Sequence, residues 1–467
     1  MNKYVKNLQE IYNKNPDFII KKIRRNFNYI YIIYLESICS SNKINDYILK
    51  TLSLIKGINK SFNSLESIIP GPHLIKLDND KKLDFYLQNG FALIIYQNQL
   101  YAVEVRADLS RAISHPLVEQ SLFGPKDSFT ESIQVNLGLI KRHIKDQSLK
   151  SQTFFIGKIT KTMINLLYIK GSIKEEILDS IINKINSIIS SKESSSLSIE
   201  NYFEENNKTH FPTVLKTERP DRASISLLEG KAVILIDTSP FALILPSFLI
   251  DFINPITDIY NTSKNINIIK IIRLISFFLT VSIPSIYISL IDYNPESIPT
   301  PLLINFLSQR KDVPFPSIVE AFLMLFIYEV LKESDIRFPN TYGSAISILG
   351  ALILGEASVK AGFVSPIMII VIALTFITSL IFTEEELTHA LRFYRLLFLI
   401  SSALYGLYGV VLAFIFLSLT LTNLYSLNYH YLFPIIPYSK NYFNITFIKS
   451  SKIHIRNIFK RSSKWKK

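Results

Sequence analysis

The hydrophobic pattern of the chain changes near residue 265. Before that point, apolar residues form short runs between polar stretches, and part of this pattern occurs twice. Residues 90–105 match residues 230–245 without a gap, at an offset of 140. Each copy is a pair of apolar, β-branched runs around a short polar turn, which is typical of a β-hairpin. The pattern therefore predicts two similar hairpins in the N-terminal half.

A second repeated feature lies upstream of each hairpin. Residues 30–35 resemble residues 164–169 at an offset of 134, and a helical pattern follows each copy, at 44–58 and 173–189. Both pieces recur in the same order, so chance similarity between isoleucine-rich strands is the weaker explanation. Two copies of a strand–helix–hairpin unit predict two similar α/β subdomains.

After residue 265 the apolar runs become long enough for membrane helices. A spanning helix needs roughly 20 residues, and several runs approach or exceed that length. The segments are residues 271–291, 318–331, 345–354, 363–382 and 396–424. The last has 29 residues without a charge, so it is long enough to tilt strongly or to fold back near its glycines.

Together these patterns predict the fold class and the domains. The fold class is an α/β N-terminal soluble region of two similar subdomains, followed by an all-α transmembrane helical domain. The two cytoplasmic subdomains are predicted at residues 1–150 and 151–265. The helical domain follows at residues 266–438, with about four to six membrane segments, and residues 439–467 form a basic cytoplasmic tail.

The net charge of +13 is concentrated at the C-terminus. Residues 440–467 contain nine Lys or Arg and no acid, which leaves +4 for the rest of the chain. A basic tail directly after apolar spans favours the cytoplasmic side of a membrane, against anionic lipid, over a nucleic-acid partner. If both ends face the cytoplasm, the number of crossings is even. We therefore expect one of the five segments to be interfacial or re-entrant, and the Pro-rich stretch 298–331 is the candidate.

The residues that would carry enzymatic or metal chemistry do not form a recognisable pattern. Cys39 is the single cysteine, which excludes an internal disulfide and a CxxC metal site. None of the seven histidines forms an HExxH motif, and neither GxSxG nor a phosphate-binding P-loop occurs. The N-terminus is polar and charged, which argues against a secretory signal. We therefore expect no enzyme and no metal or other cofactor.

A series of motifs between residues 121 and 366 resembles one protein family. In order they read SLFGPKDSFTES, NLGLIKRHI, IGKITKT, TERPD, LLEGK, SPFALILP, PESIPT, RKDVPFPSIVEAFLM, IRFP and SILGALILGEASVKAGFVSP. With these motifs the chain resembles the GerA family of spore germination proteins, specifically the A-type subunit of nutrient germinant receptors. The N-terminal segment and the basic tail carry no recognisable match.

The resemblance implies an integral protein of the inner membrane of the bacterial spore. It implies assembly with a B-type subunit that senses the nutrient and with a C-type lipoprotein subunit. It also implies a homo-oligomer, a pentamer, that forms a channel and releases monovalent cations. SpoVAF-type proteins, which amplify the ion signal, share this architecture and stay an alternative. Two positions depart from the family pattern: Leu325 replaces a frequent Glu, and Glu356 replaces the usual Gln.

Small residues form one stripe on the predicted helix that begins near Ser344. At 100° per residue, five positions fall on the same face: Ser344, Ser347, Ala351, Gly355 and Ser358. One interpretation is close packing between helices, which small residues permit. The other is a pore-facing surface, on which hydroxyl groups replace the water around a passing cation. A second stripe around Gly406 and Gly409 is interpreted as packing alone.

Four charged residues fall within or beside the apolar segments. Glu320 is a candidate for an acid at a channel mouth, and a salt bridge to Arg310 or Lys311 is the alternative. Glu329 lies beside a polar run and is expected at the membrane interface. Glu356 and Lys360 are spaced as an i, i+4 pair, either paired at membrane depth or both at the interface beside a turn.

Two turn-rich, charged motifs in the soluble region are candidate docking loops. They are Gly124-Pro125-Lys126 and Arg219-Pro220-Asp221. We interpret them as contacts between subdomains or neighbouring subunits. Two hypotheses follow for the whole chain: a channel subunit for germination, or a membrane scaffold that assembles receptor complexes without conducting.

Overall fold

The structure is a computed structural model, and it describes most of the chain in segments. The described residues are 3–12, 15–25, 28–54, 74–77, 83–96, 99–107, 119, 124–157, 160–190, 202–204, 210–261, 265–337 and 353–439. Within them, two five-stranded antiparallel sheets precede a bundle of helices.

The first subdomain is built around a sheet with the strand order β1-β2-β4-β5-β3. Its strands are β1 Phe18–Arg25, β2 Asn28–Leu35, β3 Leu74–Leu77, β4 Phe91–Tyr96 and β5 Gln99–Glu104. Its helices are α1 Lys3–Ile11, α2 Ser41–Lys43, a π-helix Ile44–Leu49, α3 Lys50–Leu54 and α4 Leu83–Gln88.

The second subdomain repeats this topology with the order β6-β7-β9-β10-β8. Its strands are β6 Leu149–Ile156, β7 Thr162–Ile169, β8 Leu215–Thr217, β9 Ala232–Ile236 and β10 Ala242–Leu245. Its helices are α5 Ile133–His143, α6 Glu175–Ser190, α7 Pro220–Leu228, α8 Leu249–Ile253 and α9 Thr257–Tyr260. The prediction of two similar subdomains is thus confirmed. Strand β6 straddles residue 150, and the predicted domain boundary there stays a prediction.

The fully apolar sequence of β9 follows from burial on both faces of the second sheet. Ala232 and Ile234 pack into the core beneath α6. Val233 and Leu235 pack into the core on the opposite face, which includes residues of α5 and α7. Because successive side chains of a strand point to opposite faces, a strand covered on both sides needs apolar residues throughout.

A buried charge pair joins the two subdomains. Asp17, just before β1, accepts hydrogen bonds from the Ser37 backbone N–H at 2.7 Å and from the Ser37 hydroxyl at 2.9 Å. The same carboxylate accepts a hydrogen bond from the ammonium group of Lys141 on α5. Asp17 and Lys141 are both almost fully buried. Separating the subdomains would therefore expose apolar surface and also break an ion pair.

The C-terminal half is helical, and its most apolar helices are Ile266–Asp292, Pro366–Ser379 and Glu385–Asn423. The elements are α10 Ile266–Asp292, a 3₁₀-helix Pro295–Ser297, α11 Thr300–Arg310, α12 Ser317–Arg337, a π-helix Ile353–Ala357, α13 Ser358–Lys360, α14 Pro366–Ser379 and α15 Glu385–Asn423, then the short strands β11 Tyr425–Ser426 and β12 Tyr429–His430. Among the described helices, α10 and α15 are long and apolar enough to cross a membrane.

Helix α15 folds back on itself at Gly406, where the backbone is not helical (φ 58°, ψ −137°). The rings of Phe398 and Phe414 pack edge to face with centroids 4.7 Å apart. In a straight helix these residues would be roughly 24 Å apart. The element is therefore a helical hairpin, with a first leg at residues 385–405 and a second leg at residues 407–423. This confirms the expectation of a fold near the glycines.

The helices run between two ends of the bundle. We call the end that contacts the second subdomain the near end and the opposite end the far end. Helix α10 reaches the far end, where Tyr293 donates a hydrogen bond to the Ala403 carbonyl close to the hairpin turn. Helix α12 starts at the far end, where the Ser317 hydroxyl donates to Asp292 at 2.7 Å, and it runs toward the near end. The second leg of α15 ends at the near end. The described chain therefore enters the helical bundle through α10 and leaves it after α15 at the same end.

The stretch 298–331 forms parts of two helices. Helix α11 has 11 residues, about 16 Å, and lies at the far end. Residues 317–331 belong to the 21-residue helix α12, which extends from the far end toward the near end. Pro314 and Pro316 lie between the two helices, and the interfacial or re-entrant placement of the stretch stays a prediction.

Gly409 in the hairpin and Gly355 in the π-helix together test the hairpin geometry. A Cβ atom on Gly409 would lie 1.9 Å from the Ser401 carbonyl oxygen on the opposite leg, whereas one on Gly355 would have no heavy atom within 4 Å. We predict that Gly409→Ala lowers stability by about 1–3 kcal/mol, because the legs must move apart. Gly355→Ala is the control and should be neutral or slightly stabilising. Thermal unfolding of the purified chain measures both, and equal effects would contradict the close approach.

Candidate functional site

The guanidinium of Arg222, in the first turn of α7, joins three parts of the chain. Its Nη1 lies 3.1 Å from a carboxylate oxygen of Glu119 and 2.5 Å from one of Glu384. Its Nη2 donates to the Asp251 carbonyl of α8 at 2.8 Å. The three charged side chains are only 6 to 13% exposed. Since Glu384 is the N-cap residue of α15, one buried cation ties the second subdomain to the hairpin helix.

A second cation fixes the orientation of α8 beside Arg222. The Lys231 ammonium lies 2.8 Å from the Asp251 carboxylate and 3.7 Å from Glu229. Asp251 also accepts a hydrogen bond from the Phe248 backbone N–H at 2.8 Å, which caps the first turn of α8. Lys231 is fully buried, so its pairing with Asp251 is needed to keep a charge there.

Both candidate docking loops meet at Tyr260, the last residue of α9. Arg219 and Asp221 form a buried bidentate pair with distances of 3.0 and 2.7 Å, and the Tyr260 hydroxyl lies close enough to Asp221 to interact with it. Gly124 adopts a positive φ of 99°, and a Cβ there would lie 2.7 Å from the Tyr260 ring. The structure thus places both motifs at the segment that leads into α10. A role for them in contacts between subunits stays a prediction.

Further ion pairs attach the first turns of both long apolar helices to the soluble region. Arg273 of α10 forms a bidentate pair with Asp258 of α9, at 2.5 and 3.0 Å. Lys216 of β8 lies 2.7 Å from Glu386 of α15. A cavity of about 270 Å³ lies between these groups, and its lining includes Glu119, Arg219, Arg222, Asp258 and Arg273.

The C-terminal end of the hairpin's second leg is also attached to the second subdomain. The Ser426 hydroxyl donates to the Thr213 carbonyl at 2.9 Å and accepts from the Ser247 N–H at 3.1 Å. The buried Tyr431 accepts, through its carbonyl, a hydrogen bond from the Leu249 N–H at 3.0 Å. Both legs of α15 are therefore held on the second subdomain. We call the ion pairs of Arg222, Lys231, Arg273 and Lys216, together with the hydrogen bonds of Ser426 and Tyr431, the junction.

Burial at the junction changes the acidity of Glu119. Removal from water and the nearby charge of Glu384 raise the pKa of Glu119 to about 7, against the attraction of Arg222. Glu119 and Glu384 thus share one guanidinium. Glu119 is the carboxyl group that keeps its proton up to a pH close to neutral. The junction is held together by buried charges, and Glu119 also accepts a hydrogen bond from the Thr217 hydroxyl at 3.0 Å.

Comparison with known proteins decides the family. The family described as Bacillus/Clostridium GerA spore germination protein matches residues 6–461, nearly the whole chain. This chain belongs to the GerA family. It is 34% identical over 433 residues to spore germination protein KA of Bacillus subtilis (strain 168), covering 91% of this chain and 80% of that protein.

Two further proteins are similar to this chain. The uncharacterized membrane protein YfkQ of Bacillus subtilis (strain 168) is 30% identical, with 90% of this chain and 83% of that protein covered. The crystal structure of the N-terminal domain of the A subunit of the Bacillus megaterium spore germinant receptor GerK3 matches 53% of this chain and 95% of that domain. Its identity is 28% and its TM-score is 0.39.

The stripe predicted from small residues in this GerA protein lies mostly outside the described residues. Ser344, Ser347 and Ala351 fall there, and their role stays a prediction. Gly355 and Ser358 are described, in the π-helix and at the start of α13. The predicted pairing of Glu356 with Lys360 is confirmed at 2.7 Å; both side chains are exposed, next to the turn at Gly362.

Glu320 is 1% exposed and lies at the N-terminus of α14. One carboxylate oxygen accepts hydrogen bonds from the backbone N–H and the hydroxyl of Ser365, the N-cap residue of that helix. The other lies 4.0 Å from Nε of Arg310. This geometry favours the alternative in which Glu320 pairs with Arg310 and interacts with a helix dipole. Its role at a channel mouth stays a prediction.

Glu329 lies toward the near end and faces two arginines of α15. Its carboxylate is 3.2 Å from Nε of Arg392 and 3.7 Å from Nη2 of Arg395. Sequence reasoning missed these arginines, and it also missed Glu119, Arg222, Lys231, Asp251 and Glu384 at the junction. The available signals were Arg222 directly after the TERPD motif and the acidic run 384–386, which begins two residues after the apolar segment 363–382.

Removing Arg222, the central cation of the junction, should lower the free energy of unfolding. We predict that Arg222→Met lowers stability by about 3–5 kcal/mol, because Glu119 and Glu384 would be left buried without a neutralising cation. The control is Lys50→Met, which removes an equally short but exposed pair with Asp46 and should cost about 0–1 kcal/mol. Chemical unfolding of the purified chain measures both changes. Similar losses for the two variants would contradict the junction.

The raised pKa of Glu119 predicts a pH dependence. An unfolded Glu releases its proton near the ordinary pKa of 4.5, whereas folded Glu119 keeps it to about 7. Between these values the folded state binds more protons, so this group's contribution to stability falls as pH rises. Glu119→Gln removes the dependence. The variant should gain on the order of 2–3 kcal/mol relative to wild type between about pH 5 and pH 8. A constant difference between the two proteins across that range would contradict the assignment.

Proposed function

We propose that this chain is the A-type subunit of a nutrient germinant receptor and acts as a channel subunit. It oligomerises, as a pentamer, in the inner membrane of the spore. It assembles with a nutrient-sensing B-type subunit and a C-type lipoprotein subunit, and it releases monovalent cations when nutrient is sensed. It has no enzymatic activity. Membership of the GerA family supports this proposal.

The junction is the observation that carries the proposal. The soluble region holds the base of α10 through Arg273 and both legs of α15 through Glu384 and Ser426. A displacement of the second subdomain therefore acts on the ends of both long apolar helices together. A receptor that converts an assembly or binding event into a change among membrane helices needs such a connection.

The placement in the membrane has independent support. Exposed apolar side chains cover the outward surfaces of α10 and α15 along their lengths. The soluble region and residues 424–439 lie at the same end of the bundle, which fits an even number of crossings. The nine basic residues of the following tail favour the cytoplasm for that end.

For the ion path we propose the small-residue stripe of Ser344, Ser347, Ala351, Gly355 and Ser358. A cation that leaves water needs replacement oxygens, and hydroxyl groups on a narrow face supply them without filling the lumen. Packing between helices is the competing interpretation of the same stripe, and the two differ in what a bulky substitution does.

The test is release of K⁺ from liposomes that contain the full-length chain, alone and with B-type and C-type subunits. We predict release in the complete assembly and its loss in Ser347→Leu, with assembly intact by size-exclusion chromatography. Ser418→Leu is the matched control, because Ser418 is exposed on the second leg of α15, and it should conduct normally.

Three results would count against the channel proposal. Absence of K⁺ release with and without partner subunits would favour a non-conducting scaffold. Release by the chain without partners and without nutrient would favour a SpoVAF-type amplifying channel. A Ser347→Leu variant that assembles and still conducts would exclude the stripe as the ion path.

A further inference from the structure

A cluster of cations lies between α12 and the first leg of α15, away from the junction. Arg392 and Arg395 face Glu329, and Lys332 lies one turn after Glu329 on α12, close enough to interact with both arginines. Glu385 is the second acid that acts on Lys332, and it is exposed at the rim. Within the described chain, the three cations Arg392, Arg395 and Lys332 therefore surround the carboxylate of Glu329, which faces α15.

One hydrogen-bond donor in this cluster has no partner. Nη1 of Arg395 is buried and makes no hydrogen bond, although the Arg395 side chain is only 3% exposed. Glu329 cannot satisfy both arginines, because its closest approach to Arg395 is 3.7 Å while it lies 3.2 Å from Arg392. A buried guanidinium nitrogen without a partner is costly, and the charge of Arg395 is only partly balanced by Glu329 at 3.7 Å within the described chain.

The depth of the cluster matches the level of lipid headgroups on the near side. Arg392 and Arg395 follow Glu384, the residue fixed to the soluble region, by 8 and 11 positions, or roughly 12 and 17 Å along the helix. The long uncharged run of the chain starts immediately after them, at Leu396. Arginine at such a boundary meets the phosphate groups of the adjoining leaflet.

An apolar surface continues from the cluster toward the far end. On α12, Phe322 and Phe326 are exposed and lie within about 60° of Glu329 around the helix axis. On α15, Leu396 and Ile400 are exposed and lie within about 80° of Arg392. Cations at the polar level with exposed aromatic and aliphatic side chains below them match the two parts of a phospholipid.

We propose that this cluster binds the phosphate of an anionic phospholipid in the near leaflet, with its acyl chains on the apolar surface below. The partly exposed Arg392 and the half-buried Lys332 contact the phosphate, while the buried guanidinium of Arg395 adds positive charge behind them. The proposal rests on the membrane placement proposed above. A free anion would be attracted by the same charges, but the apolar surface below the cluster would then have no occupant.

The experiment measures lipid binding to the purified full-length chain in detergent by native mass spectrometry. Phosphatidylglycerol is compared with phosphatidylcholine of the same acyl chains, with and without inorganic phosphate. We expect phosphatidylglycerol to bind more tightly and inorganic phosphate to leave it bound. Arg392→Gln should weaken phosphatidylglycerol about fivefold, the effect of one basic residue near an anionic lipid.

A gain-of-function variant separates the proposal from simple misfolding. Glu329→Gln removes the competing carboxylate, so it should bind phosphatidylglycerol more tightly, by about fivefold or more. Glu356→Gln is the matched control, since Lys360 then also loses a carboxylate partner but lies away from the cluster, and this variant should bind as wild type does. Equal binding of the two lipids would overturn the proposal. Displacement by inorganic phosphate, or weaker binding in Glu329→Gln, would overturn it as well.

A flotation assay with liposomes distinguishes this failure from that of the proposed function. If the wild-type chain does not float with liposomes, the membrane placement itself is wrong. If it floats but shows no lipid preference at the cluster, only the lipid site is wrong.

Discussion

The structure depends on a buried guanidinium that neutralises acids from distant parts of the chain. Arg222 lies 103 residues from Glu119 and 162 residues from Glu384 in sequence. Burying any one of these charges alone would cost several kcal/mol, so the three must come together or not at all. This requirement fixes the orientation of α7, and with it α8 and the start of α15. The second subdomain and the helices consequently share one continuous hydrophobic core, which extends from Leu235 to Phe277 and Leu417.

The hairpin helix α15 depends on a different constraint, the distance between two backbones. Ser402, Gly409 and Ala413 are buried between the legs, and none of them has a side chain larger than a hydroxymethyl group. The fold at Gly406 uses a positive φ, which glycine adopts without steric cost. In a membrane the hydrophobic effect does not bring helices together, so close packing of small residues has to supply the attraction. The same residues would be unremarkable on a solvent-exposed helix.

Much of the fold could be predicted because its central strands are apolar on both faces. Strands β4, β5, β9 and β10 are nearly continuous hydrophobic runs, which made the repeat visible in the sequence. Strand β1 could not be found in this way, because it is an edge strand that carries Lys21, Lys22 and Arg24, residues that protect an edge from pairing. The junction could not be predicted either, since its central ion pairs, those of Arg222 with Glu119 and Glu384, join residues more than 100 positions apart and no spacing rule applies to them. For Glu320 and Glu329, sequence reasoning located the acids, but the choice between functional and structural roles depended on partners on other helices.

The junction and the cation cluster lie on the same leg of α15, and this placement has a mechanical consequence. Glu384 is held by Arg222 on the soluble side, and Arg392 and Arg395 face α12 two to three turns further along. A helix leg this short transmits displacement with little bending, because its backbone hydrogen bonds would have to break first. A displacement of the second subdomain would therefore shift Arg395 relative to Glu329, and it would also shift the hairpin turn beside Tyr293. The first leg of α15 is the element that connects the soluble region with both of these contacts.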